Sequence, residues 1–228
     1  MKRFITAKTA TVIGFILAVL TFGPTQTHAS LTIVGTDGAG NRLIYDSDLN
    51  ITWYDAPPAW LTYNEAVAWA QNLNIGGVTG WRLPTSLNQD GSGPCSRYNC
   101  TGSEMGHLYY VALGNLGYRA PDGSYPQPGW GLKNYAPFVN IASFYNQPAE
   151  RHADYWSSTT WAPDPTYAWY FEFRGGDQVA GPDFLFGEFN ALAVHDGNVG
   201  NPVPIPGAVW LLGSGLIGLV AARRRFKK

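Results

Sequence analysis

The segment LTYNEAVAWAQNLNIGGVTGWRLPTS, residues 61–86, decides the fold, because it contains the clearest helix signal of the chain and a strand signal directly after it. Thr62 with Glu65 three residues later forms a capping box, which predicts that a helix begins here. Apolar residues then recur at helical spacing, at Ala66, Trp69, Ala70 and Leu73. One face of this helix should therefore pack against a core, and the Gly76-Gly77 pair should end it.

Short strands are predicted on both sides of this helix. Trp81 and Leu83 alternate with Arg82, and Pro84 ends the strand because it cannot donate to a sheet. Upstream, residues 31–55 alternate apolar pieces with turn signals, as strands joined by tight turns do. The side chains expected to face inward there are Leu43, Tyr45, Ile51 and Trp53.

A second helix is predicted over EMGHLYYVAL, residues 104–113, with Ser103 as its cap and Gly114 after its end. His107 lies within it and is expected to be structural, since no second histidine follows four residues later to form a metal-binding face. Residues 88–102 and 117–150 are rich in turn-forming residues, so long loops are expected in both.

The last part of the body is again typical of strands. In AWYFEFRG, residues 168–175, the side chains alternate between two faces. Trp169, Phe171 and Phe173 should lie on one face, with Tyr170, Glu172 and Arg174 on the other. ALAVHDG, residues 191–197, predicts a short terminal strand. Strands, two main helices, long loops and further strands together indicate an α+β domain with an antiparallel sheet.

Charge is distributed unevenly along the chain. All 16 acidic residues lie between Asp37 and Asp196, but only seven of the 15 basic residues do. This central part of the chain, which we call the body, therefore has a net charge of −9. An acidic body repels a polyanion, which argues against nucleic acid as a partner. Cations, cationic ligands and neutral sugars remain compatible with it.

The start of the chain resembles an export signal. A basic beginning precedes the apolar run TVIGFILAVLTF, and small residues before Ser30 fit a cleavage site, so residues 1–29 are predicted to be a signal peptide. An uncleaved anchor helix is the alternative. Cys95 and Cys100 are the only cysteines, and an exported protein favours a local disulfide between them. A redox or metal-binding pair is the alternative, although the spacing is not C-x-x-C.

Four phrases in this order carry a family resemblance. They are LIYDSDLNITWYD, AVAWAQNLNIGGVTGWRLPT, YWSSTTWAPDPTYAWYFEF and ALAVHDG. Together, from about Leu43 to Gly197, they resemble the Lcl C-terminal domain family, a domain of unknown function, and predict such a domain over residues 30–200. The resemblance implies a C-type-lectin-like fold, a scaffold also used by formylglycine-generating enzymes, with a mixed α+β body and long variable loops.

Two departures from that family concern ligand binding. In that family WRLPT is usually followed closely by Glu-Leu at the beginning of a helix, whereas here the cysteine-containing loop intervenes and Glu104-Met105 takes this role later. The Glu-Pro-Asn and Gln-Pro-Asp motifs of calcium-dependent lectins are also absent, so neither a metal nor another cofactor is predicted. The candidate ligand contacts are aromatic residues that could stack on sugars and acidic residues beside them: Trp130, Trp161, Trp169, Asp154, Asp164, Asp177 and Glu188.

Three functions follow as hypotheses. The first is an exported, non-enzymatic binding protein that contacts polysaccharide, and the second is a purely structural component of an exopolysaccharide layer. The third is an oxidase like the formylglycine-generating enzymes, which would need Cys95 and Cys100 as free thiols. No nucleophile motif surrounds Ser157 or Ser158, so hydrolysis is not predicted.

The segment VPIPGAVWLLGSGLIGLVAARRRFKK, within residues 201–228, resembles a PEP-CTERM sorting tail of the V-P-x-P-A type. The sorting residues are Val203, Pro204, Ile205, Pro206, Arg223, Arg224 and Arg225. The resemblance implies an exosortase-type processing enzyme as a partner. Residues 205–222 would span about 27 Å as a helix, which nearly matches a bilayer core. The basic end would stay cytoplasmic, so the body would face the periplasm and then the cell surface or matrix. A core helix of the fold is the alternative.

Overall fold

The computed structural model describes residues 31–141, 153–180 and 188–200. Within these ranges the chain forms two antiparallel sheets, two short helices and a π-helical turn, which is an α+β architecture. The predicted signal peptide and the predicted sorting tail lie outside the described residues. None of the helices in these ranges is long and apolar enough to cross a membrane.

The first sheet joins the beginning and the end of the body. Its strands are β1 (Leu31–Thr36), β2 (Arg42–Asp46), β3 (Ile51–Tyr54) and β7 (Ala193–Asp196). They lie in the order β1-β2-β3-β7 and all pair antiparallel. The predicted terminal strand therefore pairs with β3, which is far from it in sequence.

The second sheet is a meander in the order β4-β5-β6. Its strands are β4 (Asp154–Thr160), β5 (Ala168–Glu172) and β6 (Asp177–Ala180). The predicted α+β class and the antiparallel pairing are confirmed, and the antiparallel strands form two sheets. Side chains of both sheets contribute to the same two cores, because bulky aromatic residues on β3, β4 and β5 fill the space between the sheets.

The first helix, α1 (Tyr63–Gln71), begins as predicted but ends at Gln71, five residues before the predicted Gly76-Gly77 stop, so Leu73 lies beyond it. The Thr62 hydroxyl accepts from the Glu65 amide, and the Glu65 carboxylate accepts from the Thr62 amide, so the capping box is complete. Ala66 and Ala70 are fully buried. Trp69, on the same face, is half-buried because it stacks on Tyr54 at the rim of the core.

The second helix is shorter than predicted. Ser103 caps α2 (Glu104–His107), and the chain then continues as a π-helical turn (Leu108–Ala112). In this turn the Leu113 amide donates to the Leu108 carbonyl, five residues earlier. Gly114 follows with a φ of +65°, which ends the turn.

Both faces of the second sheet are covered. One core contains Tyr155 and Phe171 together with the residues of α2, and the other contains Trp156 and Tyr170 together with those of α1. Adjacent residues of one strand therefore belong to different cores. Simple alternation indicated the two faces correctly, but it did not indicate that both would be buried.

The segment after α1 forms a single bridge rather than the predicted strand. Arg82 pairs with Val194 at the edge of the first sheet. Its guanidinium donates to both carboxylate oxygens of Glu104, over 2.8 and 2.7 Å, and to Asp196 over 2.8 Å. This branched ion pair fixes the beginning of α2 against the sheet, and the polar Arg82 interrupts what would otherwise be a buried strand.

Candidate functional site

Three loops meet beside the second sheet: the disulfide loop (residues 95–100), the aromatic loop (residues 116–131) and the β5–β6 turn (residues 173–176). The structure joins Cys95 and Cys100 by a disulfide. Within this loop the backbone of Arg97 pairs with Gln178 of β6 through two hydrogen bonds of 2.7 and 3.0 Å. The disulfide loop is therefore attached to the edge of the sheet.

Strained backbone marks the disulfide loop. Arg97 has a φ of +74° and Asn99 a φ of +63°, in the left-handed region that non-glycine residues seldom adopt. For arginine this conformation costs about 1–2 kcal/mol. The surrounding hydrogen bonds hold both residues in place, and such strain is often found where a loop presents side chains to a ligand.

A single hydroxyl ties two of the loops together. The Tyr110 hydroxyl donates to the Gly176 carbonyl over 2.7 Å and accepts from the Asn99 amide over 2.9 Å. Burial is the main reason that the pKa of Tyr110 rises to about 12, so this hydroxyl keeps its proton at neutral pH. The Tyr118 amide in turn donates to the Gly175 carbonyl over 2.8 Å, which fixes the aromatic loop to the same turn.

The disulfide loop and the aromatic loop present a cluster of rings, which we call the aromatic surface: Tyr98, Tyr118, Tyr125 and Trp130. The Tyr118 ring lies at its centre, with ring centroids 6.2 Å from Tyr98, 6.0 Å from Tyr125 and 4.9 Å from Trp130. Tyr125 is 58% exposed. The Arg119 guanidinium lies over the Tyr125 ring at 4.0 Å, so one cation is part of this surface.

Two carboxylates lie beneath the aromatic surface. Glu172 of β5 and Asp177 of β6 are directly opposite each other in the sheet. A Cβ atom on Gly175 would lie 3.1 Å from the Glu172 carboxylate and 3.4 Å from Tyr118, so only this glycine separates the acid from the rings. Arg97 contacts Asp177 at 3.3 Å, and the Arg97 side chain is 63% exposed. Asp177 thereby orients Arg97 toward the solvent.

Burial controls the ionisation of this acidic pair. It raises the pKa of Glu172 to about 7, and the neighbouring charge of Asp177 acts in the same direction. The Gly175 amide opposes this by donating to Glu172 over 2.9 Å. Burial also raises the pKa of Asp177, against the stabilising charges of Arg97 and Arg119.

An open polar groove lies on the other side of the disulfide loop. Its volume is about 430 Å³, and it is lined by Asn88, Gln89, Asp90, Cys95, Asn99, Thr101 and Gly102. Asn99 connects the groove with the aromatic surface, because it follows Tyr98 and its side-chain amide donates to the Arg119 carbonyl over 3.2 Å.

The structure brings only some of the predicted ligand contacts to this place. Trp130 belongs to the aromatic surface, and Asp177 lies beneath it. Asp154 is buried in β4, opposite Glu172. Trp169 is only 8% exposed and cannot offer its ring to a ligand.

The remaining predicted contacts lie apart from the aromatic surface. Trp161 and Asp164 form the β4–β5 turn, where Asp164 accepts from the Thr166 amide over 3.0 Å. Glu188 is exposed and precedes the bridge between Phe189 and Leu61.

Sequence reasoning missed most of the residues that build the site: Arg97, Tyr98, Tyr110, Tyr118, Arg119, Tyr125 and Glu172. One signal was present, because the loop GYRAPDGSYPQPGW contains three aromatic residues in a stretch with little apolar periodicity. Aromatic residues in such a stretch need a tertiary partner. Their partner, the disulfide loop, could not be inferred from spacing.

Two alternatives raised by the sequence, a metal-binding site and an oxidase with free thiols, can be compared with the structure. Within the described residues, no group of three or more histidine, cysteine or acidic side chains is placed to hold a metal ion. Both cysteines of the chain are joined in the disulfide, so this form has neither of the free thiols that the oxidase hypothesis requires.

Comparison of the chain with protein-family models, with curated proteins and with solved structures finds no match in any of the three. The resemblance to the Lcl C-terminal domain family therefore stays a prediction from the sequence phrases.

Proposed function

We propose that this protein is an exported, non-enzymatic binding protein that holds polysaccharide on its aromatic surface. The observation that carries the proposal is the cluster of four rings on two loops, both connected by hydrogen bonds to the β5–β6 turn, with Tyr125 at its exposed end. Sugar rings have apolar C–H faces, and aromatic side chains are the usual platform on which such faces stack.

Neutral polysaccharide fits the electrostatics best. The body has a net charge of −9, so polyanions are repelled over most of its surface. The exposed guanidinium groups of Arg97 and Arg119 can donate to sugar hydroxyls at the edge of the rings. Asp177 supports this arrangement by orienting Arg97, and the buried oxygens of Glu172 and Asp177 are not ligand contacts.

The fold and location belong to the same proposal. The α+β body with long loops supports a C-type-lectin-like assignment, and binding through loops is compatible with it. The sorting tail would first hold the body on the periplasmic side of the inner membrane, and an exosortase-type enzyme would then release it to the cell surface or matrix. Mass spectrometry of the native C-terminus tests this step, and an intact Lys228 on all mature protein would refute processing.

Binding is tested by affinity electrophoresis of the full chain, solubilised in mild detergent, against gels containing neutral glucans, mannans or galactans. The Tyr125→Ala variant should lose about tenfold in affinity, since one stacked ring is worth roughly 1–1.5 kcal/mol. Tyr135→Ala is the matched control, because Tyr135 is 44% exposed and lies outside the aromatic surface. Equal losses in both variants, or no retardation of the wild type by any gel, would refute the proposal.

A further inference from the structure

The polar groove behind the disulfide loop has the properties of a second ligand site. Its volume of about 430 Å³ falls in the range of about 300–1,000 Å³ that is typical of small-molecule sites. Its lining consists mainly of amide and hydroxyl side chains, with one carboxylate at Asp90. Such groups match the hydroxyls of an uncharged sugar, which both donate and accept hydrogen bonds.

Some side chains of this lining already form hydrogen bonds within the protein. The Asn88 side-chain amide donates to the Ser92 hydroxyl and to the Gly93 carbonyl. One Asp90 carboxylate oxygen accepts from the Ser92 amide. These bonds shape the loop that forms one wall of the groove.

Two other side chains of the lining, Gln89 and Thr101, are available to a ligand. Gln89 is bonded through its backbone, whose amide donates to the Gly102 carbonyl over 3.0 Å. Among the described residues neither the Gln89 side-chain amide nor the Thr101 hydroxyl has a hydrogen-bond partner, and both residues are exposed. Two polar side chains thus line a concave surface with their hydrogen-bonding capacity unused.

The groove and the aromatic surface share the disulfide loop. The disulfide loop forms the boundary between them, with Tyr98 on the aromatic side and Asn99 lining the groove. The hydrogen bond from the Asn99 side chain to the Arg119 carbonyl holds this boundary against the aromatic loop. A chain molecule that lies on the rings can therefore cross the disulfide loop and enter the groove.

We propose that the groove is an extension subsite that binds further units of the same neutral polysaccharide, with Gln89 and Thr101 as hydrogen-bonding contacts. This inference rests on the proposed function, since it adds length to the site rather than a second ligand. The rings bind the first sugar units, and the groove selects for chains long enough to reach it. Linking the two parts raises affinity without requiring either to bind tightly alone.

Chain-length dependence tests the proposal. Titration calorimetry of the full chain in mild detergent would compare cellobiose to cellohexaose and maltose to maltohexaose. In at least one series the affinity should rise with length until the groove is filled. Gln89→Ala should lower the affinity for the hexasaccharide by about fivefold, as expected for one lost neutral hydrogen bond, and leave the disaccharide unaffected. Gln71→Ala, an exposed glutamine on α1, is the matched control and should change neither.

The outcomes separate this inference from the proposed function. One outcome is that Tyr125→Ala lowers the affinity for oligosaccharides of every length, while the wild-type affinity does not depend on length and Gln89→Ala does not change it. In that case the extension subsite is refuted and the binding role of the aromatic surface is retained. If no member of either series binds at millimolar concentration, both proposals fail. A fivefold loss in Gln71→Ala as well would show a non-specific effect and would also overturn the subsite.

Discussion

Replacing Glu172 by glutamine should stabilise the protein at alkaline pH and change little at acidic pH. Glu172 is largely buried beneath the aromatic surface, where its carboxylate accepts hydrogen bonds from the Gly175 and Arg174 amides. A glutamine has nearly the same shape and can accept the same bonds, but it carries no charge. The substitution therefore removes ionisation while it preserves packing.

The magnitude follows from the pKa of Glu172, which burial raises from 4.5 in a model peptide to about 7. Between these values the folded state keeps a proton that the unfolded state has released, so the free energy of unfolding falls as pH rises from 4.5 through 7. Each pKa unit corresponds to 1.36 kcal/mol, so the ionised Glu172 destabilises the fold by about 3 kcal/mol above pH 7. Glu172→Gln removes this loss.

Thermal denaturation at pH 5 and pH 8 measures the effect. At pH 8 the variant should melt roughly 6–12 °C above the wild type, since 1 kcal/mol shifts the melting temperature of a domain of this size by about 2–4 °C. At pH 5, where the unfolded state has begun to release this proton, the difference should shrink to about 1 kcal/mol, or roughly 2–4 °C. Glu188→Gln, at an exposed position, is the control and should show no such pH dependence. A difference between wild type and Glu172→Gln that is equal at both pH values, or a less stable variant at pH 8, would refute the reasoning.

Two further changes test how the loops are held. Gly176→Ala and Gly91→Ala both place alanine at a φ near +80°, but only the first puts its Cβ against the Tyr110 hydroxyl. Gly176→Ala should therefore cost about 1–3 kcal/mol more than Gly91→Ala in chemical denaturation, and equal losses would contradict this. Asp55 accepts from the amides of residues 139–141. Asp55→Asn should accelerate hydrogen exchange of those amides, while unchanged protection would show that the carboxylate is not what holds this segment.

Local signals in the sequence predicted the parts of the fold that depend on neighbouring residues. The capping box of α1 needs only Thr62 and Glu65, and it is present as predicted. The disulfide pair, five residues apart, is likewise a local feature. The strands also agree in outline, because the alternation of apolar side chains is set within each strand.

The parts that were missed depend on contacts between distant segments. The π-helical turn at residues 108–112 replaces a regular helix, and nothing in the helical spacing distinguishes the two. Arg82 reaches Asp196 across 114 positions, which no short pattern encodes. The division into two sheets follows from aromatic packing on both faces, and this becomes visible only when the strands are assembled.

The candidate site shows the same limit. Trp130 was predicted as a ligand contact from its residue type alone. The loops around it are held together by the Tyr110 hydroxyl and by the pairing of Arg97 with β6. The raised pKa of Glu172 is a consequence of burial, and a glutamate in an alternating strand gives no sign of that in the sequence. Trp169 was misjudged for the same reason, because its burial depends on the neighbouring layer.

The central claim is that the aromatic surface binds neutral polysaccharide. The most direct measurement is two-dimensional NMR of the isotope-labelled chain titrated with cellohexaose and, separately, with maltohexaose. The account predicts chemical-shift changes concentrated at Tyr98, Tyr118, Tyr125 and Trp130, extending to Gln89 with the hexasaccharide. Changes confined to Trp161 or Glu188, or no changes with either sugar at millimolar concentration, would contradict it.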